Sequence, residues 1–252
     1  MNKKTINNIG LLENLAEIKS DICHFIDKNL NKSGHLKITE KNDKTIVTNV
    51  DIFISQLIKD RIVGKYPFLN FYSEEDMENF SYPMVILDPI DGTKELANGV
   101  GECAVSFGIY YSADFEDKRN FSWIFNPFNG FCISSLDPYI PSKKLFGAKL
   151  LGYISRTEAS KELHISNDKF QYYVVGSIAY KLGLLAAGSC DFVISKRPKS
   201  IWDIMAGSHI CHLRGLKMRS GAKILSSISA KRVEDTLIWY PKEIESNLEQ
   251  LF

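Results

Sequence analysis

Residues 85–96 read VILDPIDGTKEL, and the interpretation of the whole chain starts from this stretch. Its first three residues are aliphatic, as expected for the end of a buried strand. Pro89 favours extended geometry in the residue before it, so Asp88 is predicted to present its carboxylate at the strand's end. Asp91 then lies in the following turn. Two carboxylates this close repel each other, and a divalent cation bound between them would remove the repulsion.

The residues after the second aspartate favour an anion. Gly92 permits a tight turn or a close backbone approach, and Thr93 begins a predicted short helix that ends at Asn98-Gly99. A helix N-terminus offers unpaired N–H groups and the positive end of a dipole, which suit a phosphate group. The loop therefore predicts cation ligands beside anion donors, although a D-P-x-D-G string is also common in plain surface turns.

Two further acidic segments favour a metal cluster over a plain turn. The SEED segment, residues 73–76, follows an apolar strand, and Asp203 in IWDIMAG stands between apolar residues at a predicted helix start. An isolated aspartate in a first helical turn is usually a cap or a partner of the helix dipole. Three acidic segments together are better explained by a shared metal site.

Composition is that of an ordinary globular protein. The 252 residues are 44% hydrophobic and 24% charged, and the formal net charge of +1 argues against a nucleic-acid polymer as partner. No apolar run approaches the ~18 residues of a membrane span, and the N-terminus lacks a secretory signal pattern. The five cysteines include no C-x-x-C pair, as expected for reduced thiols. We therefore expect a cytoplasmic protein.

Hydrophobic periodicity predicts alternating helices and strands. Residues 9–30 and residues 48–64 have helical spacing, with Thr48 or Asn49 as the cap of the second helix. The runs CAVSFGIYYS, FSWIFNP and GFCISSL suggest an antiparallel sheet. Strands and helices alternate again beyond a Pro/Ser/Lys-rich stretch near residue 140. The pattern predicts a layered α/β protein with two subdomains.

Four motifs carry a resemblance to a known family: VTNVD ending at Asp51, SEED, DPIDGT, and residues 176–207, which end in WDIMAG. The chain resembles the lithium-sensitive, magnesium-dependent phosphatases, a superfamily that contains inositol monophosphatases and 3′(2′),5′-bisphosphate nucleotidases. The resemblance implies a sugar-phosphatase-like fold of alternating αβαβα layers, with the active site between the subdomains. Residues 1–140 would form an α+β subdomain with most metal ligands, and residues 141–252 would contribute Asp203 and substrate contacts.

The resemblance also implies a ligand set for two or three Mg²⁺ ions. Asp51, Glu74 and Thr93 match positions that orient or deprotonate the attacking water, and the N–H groups of Gly92 and Thr93 would hold the phosphate. Such metal-assisted hydrolysis depends on positioning and electrostatics, so no covalent nucleophile is needed. The implied ligands are the carboxylates of Glu74, Asp88, Asp91 and Asp203 and the backbone carbonyl of Ile90.

The second half of the chain predicts the substrate. The SRT segment, residues 155–157, is similar to the nucleotidase branch, which implies hydrolysis of adenosine 3′,5′-bisphosphate to AMP and phosphate. Lys196 and Arg197 could reach a second phosphate or form a solvated basic turn. The implied substrate contacts are Asp91, Gly92, Thr93, Ser155, Arg156, Gly176, Ser177, Lys181 and Asp203.

Other interpretations stay open at this point. Inositol monophosphate is the second candidate substrate, and histidinol phosphate or another small sugar phosphate is the third. The stretch NGVGECAVS, residues 98–106, departs from the aromatic-containing version expected for the family, so the shape of one wall of the cleft is not predicted. A non-catalytic phosphate-ligand sensor and a structural dimer module are the alternatives outside enzymes. Relatives commonly form homodimers, which makes a homodimer one expectation.

Overall fold

The computed structural model describes residues 6–31, 36–40, 46–77, 79–139, 149–162, 168–248 and 251. Two helices and a two-stranded antiparallel hairpin form the N-terminal region. Both helices continue as one π-helical turn, to Asn31 and to Val63. The elements are α1 (Asn8–Ile26), β1 (Ile38–Glu40), β2 (Ile46–Thr48) and α2 (Asn49–Ile58).

A five-stranded sheet follows in the order β3-β4-β5-β6-β7. Its first pair is parallel and the other three pairs are antiparallel, so the predicted antiparallel sheet is confirmed for its larger part. A single short helix, α3 (Thr93–Ala97), follows the second strand. The strands are β3 (Asn70–Ser73), β4 (Met84–Asp91), β5 (Ala104–Tyr110), β6 (Phe121–Phe125) and β7 (Cys132–Ser134).

The second half of the chain forms a six-stranded mixed sheet and the helices beside it. The strand order is β13-β12-β15-β10-β8-β9, and a separate two-stranded ladder pairs β11 with β14. The elements are β8 (Leu150–Ile154), α4 (Arg156–Glu162), β9 (Phe170–Val174), α5 (Ile178–Ala186), β10 (Phe192–Ser195), β11 (Lys199–Ser200), α6 (Ile201–Leu213), β12 (Leu216–Ser220), β13 (Lys223–Leu225), β14 (Arg232–Val233), β15 (Leu237–Pro241), a 3₁₀ turn (Lys242–Ile244) and α7 (Glu245–Leu248).

Both large sheets have helices packed on both faces, and this produces the predicted αβαβα layers. Successive side chains of a strand point to opposite faces. Along β4, Val85 and Leu87 pack in the core shared with α1 and α2, whereas Met84 and Ile86 pack in the core shared with α5 and α6. The six-stranded sheet covers the other side of α5 and α6, and α4 and α7 pack on its outer face.

The layers explain how the two halves of the chain meet. The five-stranded sheet ends with β7 and the six-stranded sheet begins with β8, on either side of the predicted boundary, although residues 140–148 lie outside the described residues. However, α5 and α6 belong to the second half and pack directly on the first sheet. The division into residues 1–140 and residues 141–252 therefore stays a prediction, because one hydrophobic layer is shared by both.

No helix in the described part of the chain is long and apolar enough to cross a membrane. This agrees with the absence of a long apolar run in the sequence. The cysteines at the five described positions are free thiols, as predicted from their spacing.

Candidate active site

The parallel pairing of β3 with β4 brings two acidic segments together. Ser73 lies opposite Leu87 in this pair, so both strands end at the same edge of the sheet. The N–H of Glu74 donates to the carbonyl of Leu87 (3.2 Å), which places Glu74 beside Asp88. The β4–β5 register then shifts between Asp88 and Asp91. Such an irregularity redirects side chains, and here it allows both aspartates to serve one site.

Helix α6, in the second half of the chain, contributes a further carboxylate. Asp203 lies in its first turn, where its Oδ2 accepts from the N–H of Ser200 (3.0 Å). The Ser106 hydroxyl donates to a backbone carbonyl of the same turn (2.7 Å), and Ser106 pairs with Asp88 between β5 and β4. As a result, ligand atoms of Asp88, Asp91 and Asp203 lie within 4.8 Å of one another.

The cluster is electrostatically unfavourable without a cation. Burial, together with the charges of Glu74, Asp91 and Asp203, raises the pKa of Asp88 well above its ordinary value. Burial and the charge of Asp91 raise the pKa of Asp203 to about 7.

One atom of this cluster tests whether a metal fits. Oδ1 of Asp88 is buried and has no hydrogen-bond partner among the described residues. An unpaired buried carboxylate oxygen is costly, so it calls for a ligand that the protein itself does not provide. Carboxylate and carbonyl oxygens are also the ligands that Mg²⁺ prefers. The residues present therefore fit a magnesium site.

A second pair of side chains lies beside the cluster. Asp51 is 1% exposed, and its Oδ2 accepts from both the N–H and the hydroxyl of Thr48, which caps α2 as predicted. The hydroxyl of Thr93 lies 3.3 Å from Oδ1 of Asp51 and 2.8 Å from the carbonyl oxygen of Ile90. Burial raises the pKa of Asp51, although the hydrogen bonds from Thr48 oppose this shift. The capping box thus aims Asp51 at Thr93.

These groups open into one cleft of about 210 Å³. Gly92 has a φ of +97°, a conformation that favours glycine, and a Cβ at this position would lie 3.1 Å from the carbonyl oxygen of Glu102. Three lining residues were not predicted from the sequence: Ile46, Lys94 and Glu95. Lys94 and Glu95 directly follow Thr93 in the chain, and Ile46 begins β2, just before Thr48; closeness to these residues was the only signal in the sequence. The lining residues are Ile46, Glu74, Asp88, Ile90, Asp91, Gly92, Thr93, Lys94, Glu95 and Asp203.

Comparison with known proteins identifies the family. The sequence profile of the inositol monophosphatase family matches residues 8–220. The chain belongs to this family. The fold agrees: the Thermotoga maritima IMPase has a TM-score of 0.76 at 18% identity, over 96% of each chain. The family resemblance inferred from the four motifs is therefore confirmed.

One sequence relative and one solved structure of similar fold are named as phosphate-releasing enzymes. The 3′(2′),5′-bisphosphate nucleotidase CysQ of Buchnera aphidicola is 27% identical over 251 residues, which cover 90% of this chain and 92% of that protein. An IMPase/NADP phosphatase solved in complex with Mg²⁺ and phosphate has a TM-score of 0.74 at 17% identity, over 96% of this chain and 94% of that chain. The protein is a metal-dependent phosphatase of the family, and magnesium is the family's metal.

The predicted substrate contacts around α4 do not line the cleft. The hydroxyl of Ser155 donates to Oε2 of Glu158 (2.5 Å), and the Glu158 N–H donates back to Ser155 (3.3 Å), so these residues cap α4. The guanidinium of Arg156 pairs with Glu102 and Glu95. The Ser155 hydroxyl and the guanidinium of Arg156 therefore already have protein partners.

Of the remaining residues proposed to contact the substrate, Ser177 bonds to the acidic cluster, whereas Lys181, Lys196 and Arg197 have other surroundings. Lys181 is 2% exposed, donates to the Val175 carbonyl (2.9 Å), and has its pKa lowered by burial to about 8. Lys196 and Arg197 are exposed at the end of β10. By contrast, Ser177 reaches the acidic cluster directly, because its hydroxyl donates to Oδ2 of Asp91 (2.7 Å).

Proposed function

We propose that this phosphatase is a 3′(2′),5′-bisphosphate nucleotidase that hydrolyses adenosine 3′,5′-bisphosphate to AMP and phosphate. The observation that carries the reaction type is the buried, unpartnered Oδ1 of Asp88 inside a carboxylate cluster. The choice of substrate is supported by the similarity to a CysQ nucleotidase over nine tenths of the chain.

The proposed metal site holds two or three Mg²⁺ ions at the edge of the five-stranded sheet. When bound, Mg²⁺ supplies Lewis-acid stabilisation of the charge that develops on the phosphoryl oxygens. This assignment is supported by the position of the ligands in the chain. Asp88 lies in β4 and Asp203 lies in α6, far apart in sequence, yet the fold brings their carboxylates together. The proposed ligands are Glu74, Asp88, Asp91, Asp203 and the carbonyl of Ile90.

Thr93 and Asp51 are the proposed proton-handling pair, acting with Glu74 on the attacking water. The Thr93 hydroxyl lies within reach of one oxygen of Asp51, while Thr48 occupies the other oxygen. The hydroxyl has one proton, which can go to the Ile90 carbonyl (2.8 Å) or to Asp51 (3.3 Å). When it is donated to Asp51, the lone pairs of the hydroxyl oxygen can orient a water in the cleft. Asp51 can take up the proton because burial raises its pKa.

The substrate's phosphate would lie beside the N–H groups of Gly92 and Thr93, and its nucleoside would extend towards the second half of the chain. Lys94 is an exposed cation in the cleft lining, and it can attract a second phosphate without rearrangement. Ser155 can donate its hydroxyl to the substrate only by leaving Glu158, whereas Arg156 has further N–H groups beside the two that face Glu95 and Glu102. Gly176, Ser177 and Lys181 complete the proposed contact region.

Inositol 1-phosphate is the second candidate substrate, and a specific observation favours it. The guanidinium of Arg156, the group expected to recognise a second phosphate, is already paired with two carboxylates. A substrate with one phosphate needs no such recognition. A solved structure with the same fold, that of the Thermotoga maritima IMPase, is also named as an inositol monophosphatase.

Phosphate release with Mg²⁺ tests the proposal. Adenosine 3′,5′-bisphosphate and inositol 1-phosphate are compared at equal concentration, each with and without lithium, and Arg156→Met is assayed on both. We expect preference for the nucleotide, and a KM for it that rises about tenfold in Arg156→Met with little change for inositol 1-phosphate. Preference for inositol 1-phosphate would overturn the substrate assignment. Release from neither substrate would favour another sugar phosphate or a non-catalytic sensor.

A further inference from the structure

A group of four residues connects the two halves of the chain beside the cleft, and its two carboxylates have no role in the proposed chemistry. It consists of Glu95, Glu102, Arg156 and Gly176, and is called the latch below. Glu95 and Glu102 belong to α3 and the loop after it, whereas Arg156 begins α4 and Gly176 precedes α5. Glu102 lies in the NGVGECAVS stretch, residues 98–106, where the sequence departs from the expected family pattern.

Glu102 is the centre of the latch. Its Oε2 accepts from the N–H of Gly176 (2.7 Å) and from Nη2 of Arg156. Nη1 of Arg156 also lies 3.4 Å from Oε1 of Glu95. One carboxylate oxygen therefore holds two elements of the second half at once, through two charge-assisted hydrogen bonds.

Gly176 is enclosed by the other three latch residues. A Cβ at this position would lie 2.5 Å from Cγ of Glu95, 2.7 Å from the carbonyl oxygen of Glu102 and 2.9 Å from Nη1 of Arg156. Only glycine therefore allows the backbone to approach closely enough for the hydrogen bond to Glu102. The latch is built around this position and is not a chance contact of surface charges.

The turn held by the latch also holds Asp91. Oδ2 of Asp91 accepts from the hydroxyl of Ser177 (2.7 Å) and from the N–H of Ala179 (2.6 Å). Ser177 has a φ of +52°, an uncommon conformation for a residue with a side chain. Glu102 and Asp91 therefore both hold the turn of residues 176–179, Glu102 at Gly176 and Asp91 at Ser177 and Ala179.

We propose that Glu102 is a positioning residue for the metal site, acting through the 176–179 turn on Asp91. Holding Oδ2 determines the direction in which the other oxygen of the same carboxylate points. If the turn moves, the carboxylate of Asp91 moves with it. This inference rests on the proposed role of Asp91 as a metal ligand. Outer residues that orient a ligand commonly change metal affinity by about 10–100-fold when they are removed.

The test is the Mg²⁺ concentration at half-maximal thermal stabilisation, measured without substrate, and confirmed by calorimetric Mg²⁺ titration. A ligand that binds only the folded state raises its apparent stability, so this midpoint reports affinity. We expect Glu102→Ala to raise the midpoint about tenfold. Glu102→Gln keeps an acceptor oxygen for the N–H of Gly176 and should stay within about twofold of the wild type. Gly176→Ala should weaken Mg²⁺ binding at least as much as Glu102→Ala.

Glu245→Ala is the matched control. Glu245 is a half-exposed carboxylate that also accepts from two side chains, those of Lys217 and Tyr240, but it lies outside the cleft lining. Its loss should lower the melting temperature without changing the Mg²⁺ midpoint. An unchanged midpoint in Glu102→Ala, an equal shift in Glu245→Ala, or a Glu102→Gln variant as weak as the alanine variant would each overturn the inference. Because no substrate is present, failure of the nucleotidase assignment leaves this result readable.

Discussion

Two regions carry predicted site residues: the acidic loop at the end of β4, residues 88–93, and the first turn of α4, residues 155–158. They differ in whether their polar atoms have hydrogen-bond partners within the protein. In the loop, Oδ1 of Asp88 is buried and has no partner in the described part of the chain. In the turn, Ser155 and Glu158 satisfy each other. An unsatisfied buried oxygen requires a ligand, whereas a satisfied group binds one only after it gives up a protein partner.

The loop side of this comparison predicts the largest effect. Asp88→Asn should lower Mg²⁺-dependent phosphate release by at least about 10³-fold, because it removes a charge that holds the cation. The fold should survive, and the metal-free protein should melt at a higher temperature, since the substitution removes like-charge repulsion inside the cluster. Phosphate assays and thermal unfolding with and without Mg²⁺ measure both effects.

Asp114→Asn is the control for that variant, because Asp114 is an exposed turn residue outside the cleft lining. It should change neither quantity. If the Asp88→Asn variant releases phosphate at the wild-type rate, the unpartnered oxygen does not mark the metal site.

Thr93→Ala separates proton handling from metal binding within the same loop. We expect kcat to fall about 10²-fold, because the hydroxyl that links the cleft to Asp51 is lost. KM should change little. Thr93→Ser keeps the hydroxyl and should recover most of kcat, so a serine variant as slow as alanine would argue against the hydroxyl's role. Steady-state kinetics of both variants provide the comparison.

The pH dependence of the metal-free protein follows from the raised pKa values in the loop. Burial and neighbouring charge raise the pKa of Asp203 to about 7 and that of Asp88 well above 3.8, so between about pH 4 and 7 these two groups bind more protons in the folded protein than in the unfolded chain. His209, whose pKa is lowered by burial to about 4, contributes in the opposite direction over part of this window. The stability that the two carboxyl groups contribute should therefore fall as pH rises through this window. Melting temperatures in EDTA at pH 5 and pH 7 isolate this contribution when the wild type is compared with Asp88→Asn, because His209 is the same in both.

Mg²⁺ should flatten or reverse this trend, because it stabilises the ionised carboxylates. Between pH 5 and pH 7 in EDTA, Asp88→Asn should lose less stability than the wild type. A variant that loses as much stability as the wild type, or more, would contradict the electrostatic account of the cluster.

The α4 turn predicts the smallest effect. Ser155→Ala removes a helix cap and should lower the free energy of unfolding by about 1 kcal/mol, with kcat unchanged. Denaturant unfolding and kinetics with adenosine 3′,5′-bisphosphate test this, with Ser229→Ala, at an exposed loop position, as control. A large rise in KM with Ser155→Ala alone would show that the hydroxyl leaves Glu158 to bind the substrate, and the contrast between the two regions would disappear.

Much of the first half could be predicted from the sequence because its signals are local. The aliphatic run before Asp88, the capping threonine before α2 and the turn at Gly92 each depend on residues close together in the chain. The short elements of the second half gave weaker signals. Helix α4 and strands β11 to β14 have two to seven residues each and were not predicted, because such lengths show little periodicity.

Local patterns in the sequence determined the layered α/β class, the family and which acidic residues form the cluster. Only the tertiary structure decided which polar atoms remain unsatisfied. Arg156 is a free cation in the sequence, yet the fold places it against Glu95 and Glu102, which lie far from it in the chain. Hydrogen bonds and ion pairs between distant segments depend on how layers pack, and no local pattern encodes that packing.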